Sequence, residues 1–332
     1  IRVPNESGLY FLAETIYCAI NVIVYLSKYR HLFCNFASVW IYMEIMMKKF
    51  LILIMAAMLP ILASGQAQIT TKKAKIADFP NKVTKVVLPG NAFYDGAFQE
   101  VISSRWRVSP FEFCSLNEFD KLKGSDQYYF MMLTQGQFKN ENEPGLQFIT
   151  LIKGGADAAK GIDSMLEVVT VPFAAADFPS GRELIYLPAL IDIIQNYTMS
   201  SIEKDFSNLG GLSAYATNLT KANKMEIVFA EDDLSDEITE ADKAAMAEKN
   251  ISITDPEEVD ALADGKGSNT LVSYTVAPEE PVAGSFCYKM LIDTNTHELY
   301  YFRKHKISKK LSKGFLSEDI KRITAFRPKN KQ

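Results

Sequence analysis

Apolar positions in this chain fall into short blocks separated by polar, glycine-containing breaks. The spacing within the blocks switches between strand-like and helix-like. Residues 85–89 (Lys-Val-Val-Leu-Pro) read as a short buried strand. Phe93, Ala97, Phe98, Val101 and Ile102 then recur at helical spacing, predicting a helix over 91–105 that covers a sheet. A strand over 108–113 follows. Ser115-Leu116-Asn117-Glu118 has the form of a capping box and opens a helix through Leu122, which Gly124 ends. Strands are predicted over 127–135, 146–153 and 165–173. Between the last two, residues 154–161 lack the Gly-x-x-x-x-Gly-Lys-Ser/Thr order of a phosphate loop and read as a hairpin connection. A long helix follows, with Pro188 in its first turn, a broad apolar face from Leu190 to Phe206, and a stop at Gly210-Gly211.

The second half echoes the first. Residues 225–229 stand where 86–88 stood, 240–249 form the helix, and 251–253 the second strand. The clearest echo sets 117–124 against 257–264; the strand 270–276 then matches 127–135. Residues 287–293 and 298–305 form a hairpin across Thr294-Asn295-Thr296, and a helix over 317–323 closes the pattern. The expected fold is α/β (α+β): two β-α-β-α-β-β-like units with mixed sheets, consistent with a divergent internal duplication. Helices are expected mainly on one face of each sheet, with antiparallel hairpins at the end of each unit.

The N-terminal region reads differently. Lys48-Lys49, the apolar run 50–62 and the small-residue exit Ala63-Ser64-Gly65-Gln66-Ala67 are the three parts of a secretory signal over 46–67. The run is short and broken by Pro60, whereas a membrane span needs roughly 20 apolar residues. Residues 1–45 read as an upstream extension before the true start. The remaining organisation is a polar leader arm over 68–84, a first α/β unit over 85–175, a helical connection over 176–223, a second unit over 224–327 and a basic tail over 328–332.

Composition narrows the function classes. A hydrophobic content of 48% and a charged content of 23% match an ordinary globular protein, and the net charge of −4 gives no nucleic-acid footprint. No membrane span is expected in the mature chain. Cys114 and Cys287 remain after the signal; in an oxidising compartment they are a candidate disulfide, with two separately buried thiols as the equal alternative, because pairing needs Cα atoms within roughly 7 Å. His297 and His305 lie too far apart along an extended chain to share a metal, and neither shows a positioned partner. The acidic residues Glu231, Asp232, Asp233, Asp236 and Glu237 read as a solvated loop favouring the next helix N-terminus rather than a cation site. Residues 260–271 faintly suggest a calcium loop but place Leu262 and Leu271 where oxygen ligands are required. Trp106 reads as a helix-ending core residue. No catalytic residue, cofactor-binding residue, metal ligand or cofactor is assigned.

The signal ending Ala63-Ser64-Gly65-Gln66-Ala67-Gln68, joined to a long α/β body without enzymatic signatures, resembles the uncharacterised exported proteins of Bacteroidetes. Asp163-Ser164-Met165 has the Asp-Ser/Thr-apolar form used for O-glycosylation of such proteins, which makes Ser164 a candidate site. In element order the first unit is also similar to the small α/β amino-terminal module of TolB; that is fold analogy alone. The resemblance implies export to the periplasm or beyond and an envelope protein or peptide as partner. The leading expectation is a binding protein that uses sheet edges or the cleft between units. The alternative is an extracytoplasmic hydrolase whose acidic residues converge in space, with Glu112, Glu118 and Asp120 as candidates.

Overall fold

In both halves of the chain, three parallel strands are followed by two antiparallel ones, and the computed structural model shows them as two five-stranded sheets of the same topology. It describes residues 73–176, 179–203, 212, 218–266 and 269–327. These lie in the unit Ala67–Gln332, one of two into which the chain divides. The expected extension 1–45, the signal 46–67, the start of the leader arm, the stop at Gly210-Gly211 and the basic tail 328–332 lie outside the described residues.

The first sheet holds β1 (Val83–Val87), β2 (Phe111–Cys114), β3 (Tyr128–Gly136), β4 (Leu146–Lys153) and β5 (Leu166–Ala175) in the order β2-β1-β3-β4-β5. The second holds β6 (Glu226–Ala230), β7 (Ile251–Thr254), β8 (Thr270–Val276), β9 (Phe286–Asp293) and β10 (Leu299–Lys306) in the equivalent order β7-β6-β8-β9-β10. In each sheet the first three strands are parallel and the last two antiparallel. Helices α1 (Ala92–Arg105), α2 (Leu116–Leu122) and α3 (Arg182–Glu203) belong to the first half; α4 (Glu240–Ala247), α5 (Pro256–Ala261) and α6 (Ser317–Ala325) are their counterparts. The echo read at 117–124 and 257–264 is thus α2 and α5, each between the second and third strands.

Local chemistry sets several boundaries. Ser115 and Glu118 form the capping box of α2, and Thr239 with Asp242 does the same for α4. The Asn91 side chain accepts the Phe93 N–H (3.0 Å) at the start of α1.

The helices do not share one face, contrary to expectation. Tyr94, Phe98 and Ile102 of α1 pack with Val86 and Met131, whereas Phe119 of α2 packs with Val87, Phe130 and Met132 on the other side. The second sheet repeats the split, with Met246 of α4 beside Ile227 and Phe229, and Val259 of α5 beside Val228 and Val272. The cause is strand order. The chain moves outward from β1 to β2 and back across β1 to β3, so crossovers of one hand must place their helices on opposite faces.

Residues read as a leader arm are part of the core. A single helical turn (Lys73–Ile76) and a 3-10 turn (Phe79–Asn81) bury Ile76 and Phe79 completely. The Phe79 ring meets Tyr129 edge-on at 4.9 Å, and Asp78 accepts the Tyr129 hydroxyl (2.6 Å) and pairs with Lys153 (2.8 Å). Two large apolar side chains outweighed the polar composition around them.

Helix α3 is no peripheral connection. It begins at Arg182, not near Pro188, because the Ser180 hydroxyl and Glu183 carboxylate take the N–H groups of Arg182 (3.3 Å) and Gly181 (2.9 Å). Pro188 therefore lies inside the helix and removes the N–H that Leu184 C=O would otherwise receive. Packing offsets that loss: Tyr186, Leu187, Leu190, Ile191, Ile194 and Tyr197 are buried in one core that also contains Val86, Phe173, Tyr274, Met290 and Phe302 from both sheets. Leu190→Ala should destabilise the protein by about 2–5 kcal/mol, the usual range for such a truncation. Because α3 serves both halves, urea unfolding of the variant should stay a single transition at a lower midpoint. A second transition carrying only the β6–β10 half at its original midpoint would contradict this shared core.

Candidate functional site between the two halves

The parallel strands β6 and β8 end side by side, and the chain leaves β6 toward α4 on one face while α5 returns on the other. Crevices at such carboxyl ends of parallel strands are where open α/β sheets place ligands. Here the space is a cleft of about 510 Å³ bounded by both halves. Ala174, Ala175, Ser180, Arg182 and Glu183 line it from the first half, and residues 231–234, Asp236, residues 274–277, Glu279 and Lys313 from the second.

The cleft floor is a tightly bonded joint. Tyr186 of α3 and Tyr274 of β8 stack with centroids 4.1 Å apart and planes within 9°. The Tyr186 hydroxyl donates to Ser273 C=O (3.0 Å), and Tyr274 donates to Phe173 C=O (2.5 Å) in the edge strand β5. The Arg182 guanidinium lies over both rings, 5.6 and 5.8 Å from their centroids. It also pairs with Asp260 (2.8 Å) and Asp233 (3.3 Å). Asp233, 2% exposed, accepts the Ser273 hydroxyl (2.6 Å), whose oxygen accepts the Ala230 N–H. Burial disfavours the Arg182 charge, but Asp233 and Asp260 outweigh it and raise its pKa. Burial raises the Asp260 carboxyl, with repulsion from Asp233 adding to it. Glu183, also 2% exposed, accepts the Tyr94 hydroxyl (3.0 Å). Asp233 is therefore a structural anchor and not part of a solvated loop, which corrects the sequence reading at that position.

The rim differs from the floor. Glu231, Asp232 and Asp236 are exposed and make no ion pair among the described residues, while Lys313 is matched by Glu279 at 3.2 Å. With Arg182 and Lys313 both paired, the cleft mouth carries an excess of negative charge. The acidic run reads as solvated only here.

A second joint lies along α3. Asp192 accepts from Arg105 of α1 (Nε, 3.0 Å) and from His297 Nδ1 (2.7 Å), while Gln195 Nε2 holds its other oxygen at 3.1 Å. Burial opposes the Asp192 charge, but these bonds win and hold its pKa below the ordinary value. His297 sits at the β9–β10 turn with φ +56°, a left-handed conformation that costs a non-glycine residue about 1–2 kcal/mol. The partner for His297 that the sequence did not reveal is Asp192, 105 residues away. Its signal was a histidine at a hairpin position that favours glycine or asparagine. His305 instead donates from Nε2 to Ser312 C=O (2.8 Å), and burial lowers its pKa.

The other candidates stay apart. Cys114 lies in β2 of the first sheet and Cys287 in β9 of the second; both are buried free thiols, so of the two readings the separate thiols hold and the candidate disulfide is absent. Strand placement decided this: Cys114 packs in the apolar cluster with Phe119 and Phe130, whereas Cys287 Sγ accepts the Gly314 N–H (3.2 Å) in the other sheet. Burial raises the Cys114 thiol, and pushes Cys287 up to about 12, so neither is a thiolate at neutral pH. Glu112 pairs with Lys85, Glu118 caps α2 and Asp120 pairs with Lys123. Each of the three carboxylates is engaged by a partner in its own neighbourhood. Asp260 pairs with Arg182. Ser164 is exposed in a short turn between β4 and β5, and Trp106 caps α1 from within the core. No group of three or more His, Cys, Asp or Glu among the described residues is arranged to hold a metal.

Two measurements test these joints. Arg182→Met leaves Asp233 buried without its cation and should cost about 3–5 kcal/mol in urea unfolding; a loss below about 1 kcal/mol would make the pair incidental. The lowered Asp192 pKa contributes stability above the unfolded value near 3.9 and loses it as pH falls below that. Asp192→Asn should therefore be less stable at neutral pH yet lose less on acidification; an acid limb as steep as the wild type's would exclude the assignment. No protein-family model matches the chain, and comparison with curated proteins and with solved structures gives no match.

Proposed function

We propose that this chain is an exported binding protein of the bacterial envelope, and that the cleft between its halves receives a cationic group of a partner protein or peptide. The observation that carries the reading is the charge arrangement of the cleft. Its basic side chains are neutralised within the floor and at Lys313, while Glu231, Asp232 and Asp236 remain unmatched at the mouth. Complementary potential of this kind steers association and selects partners by sign. A volume of about 510 Å³ between two halves is of the size that small ligands and side chains occupy.

Binding is favoured over hydrolysis because the buried carboxylates of the cleft are already engaged. Glu183 holds Tyr94 and the start of α3, and Asp233 holds Arg182 and Ser273. The two described histidines, His297 and His305, are bonded elsewhere. Export rests on the signal-like pattern over 46–67. No helix among the described residues is long and apolar enough to cross a membrane.

A fluorescent lysine-rich peptide should bind saturably and weaken as salt rises, and Glu231→Gln with Asp232→Asn and Asp236→Asn should weaken it about tenfold or more. Peptide affinity unchanged by those three neutral substitutions would remove the cleft as the binding surface. Recovery of the chain only from cytosol with its N-terminal region retained would remove export.

A further inference from the structure

Beside the acidic mouth stands its chemical opposite. From Arg303 to Lys313 the chain carries six lysines and arginines and no carboxylate, against an overall net charge of −4. Some of these cations are engaged: Arg303 pairs with Glu318 and Lys313 with Glu279. Lys309 and Lys310 are exposed, without an ion pair among the described residues, at the tip of a turn closed by Ser308 N–H to Leu311 C=O (3.0 Å) and Leu311 N–H to Ser308 C=O (3.3 Å). The base of the turn is fixed to the rim of the cleft. Ser312 Oγ lies 2.8 Å from Ser235 Oγ and accepts the Asp236 N–H (3.2 Å). Gly314, at φ +101°, allows this close approach, since a Cβ there would sit 2.6 Å from the backbone at Leu234 and Ser235.

Two exposed apolar side chains accompany the charges. Leu311 is 36% exposed in the turn itself, and Val282 is 40% exposed. Backbone bonds from Gly284 N–H to Ile307 C=O (3.0 Å) and from Ile307 N–H to Ser285 C=O (2.8 Å) put the Val282 loop next to the turn. A basic tip, an acidic cleft and two apolar contacts therefore share one surface of the molecule.

We infer that the partner of the cleft is a second copy of this chain, whose Lys309–Lys310 turn enters the acidic mouth while its own cleft receives the same turn in return. This rests on the reading of the cleft as a contact surface for cations. Adjacency of tip and cleft decides the symmetry. When both complementary patches lie on one face, a two-fold exchange satisfies both at once and closes as a dimer; patches on opposite faces would generate an open chain. Leu311 and Val282 supply the apolar contact beside the ion pairs.

The test is a charge swap read by light scattering and sedimentation at low salt. The full chain should show twice the monomer mass at about 50 mM salt and dissociate toward monomer at about 500 mM, where screening shortens to a few ångströms. Lys309→Glu/Lys310→Glu gives a molecule with acidic tip and acidic cleft; Glu231→Lys/Asp232→Lys gives one with basic tip and basic cleft. Each variant alone should be monomeric, with a dissociation constant raised about tenfold or more, and the two mixed should form a heterodimer because both contacts are again complementary. All four positions are exposed, so circular dichroism should report the wild-type fold. A wild-type chain that stays monomeric at low salt, or variants that fail to pair when mixed, would overturn the dimer. If the lysine-rich peptide still binds in that case, the cleft reading survives and only the identity of its partner falls. If the peptide fails as well, both fall together.

Discussion

Burial of α3 on nearly every side is the constraint from which the remaining arrangement follows. A surface helix buries one stripe and leaves the other to water; α3 buries twelve residues of its twenty-two, including Glu183, Gln195, Thr198 and Ser201. Its polar side chains must therefore find partners inside the protein. Thr198 and Ser201 turn back to the carbonyls of Ile194 and Tyr197, Glu183 takes Tyr94, and Gln195 bridges Arg105, Arg107 and Asp192. These partners come from α1, from Arg107 just after it and from the helix itself, so the first half fastens α3 to α1.

The second half then fits against that prepared surface. Tyr274, Val272, Met290 and Phe302 share the core with α3, and the Tyr274 hydroxyl reaches the backbone of β5. The contact is not symmetric, although the halves share a topology. The first sheet offers the face that carries α1 and α3, and the second offers the opposite face, the one that carries α5. The face carrying α4 and α6 forms a separate core, closed by Lys289 of β9 and Asp319 of α6 as a buried ion pair with the Tyr301 hydroxyl. Equivalent elements thus do different work: α3 joins two sheets, whereas α6 covers one.

This asymmetry also places the candidate site. Arg182 stands at the entry to α3 and Asp233 just beyond β6, so the cleft exists only where the two halves meet. The floor residues hold the joint together, and what remains free to meet a partner is the rim. Structure and recognition are divided between buried and exposed members of one acidic run: Asp233 serves the first, and Glu231, Asp232 and Asp236 the second.

Much of this architecture was written locally. Apolar periodicity, the capping box at Ser115, and turn residues at the hairpins depend on neighbours within a few positions, so strands and helices could be read in order, and the match between 117–124 and 257–264 identified the two similar units. What sequence could not carry was any relation between distant residues. Which face each helix takes depends on strand order. Ile76 and Phe79 gain their place from a sheet built later in the chain. Cys114 and Cys287 stay apart because they lie in different sheets, and His297 meets Asp192 only where the two halves come together. The same holds for the cleft, whose floor brings together residues of α3, β8 and the segment after β6. Sequence by itself determined the elements, because hydrogen bonding and periodic burial act over one turn or one strand. The tertiary structure alone decided the partners, because Coulomb and packing energies depend on distances in space that chain position does not encode.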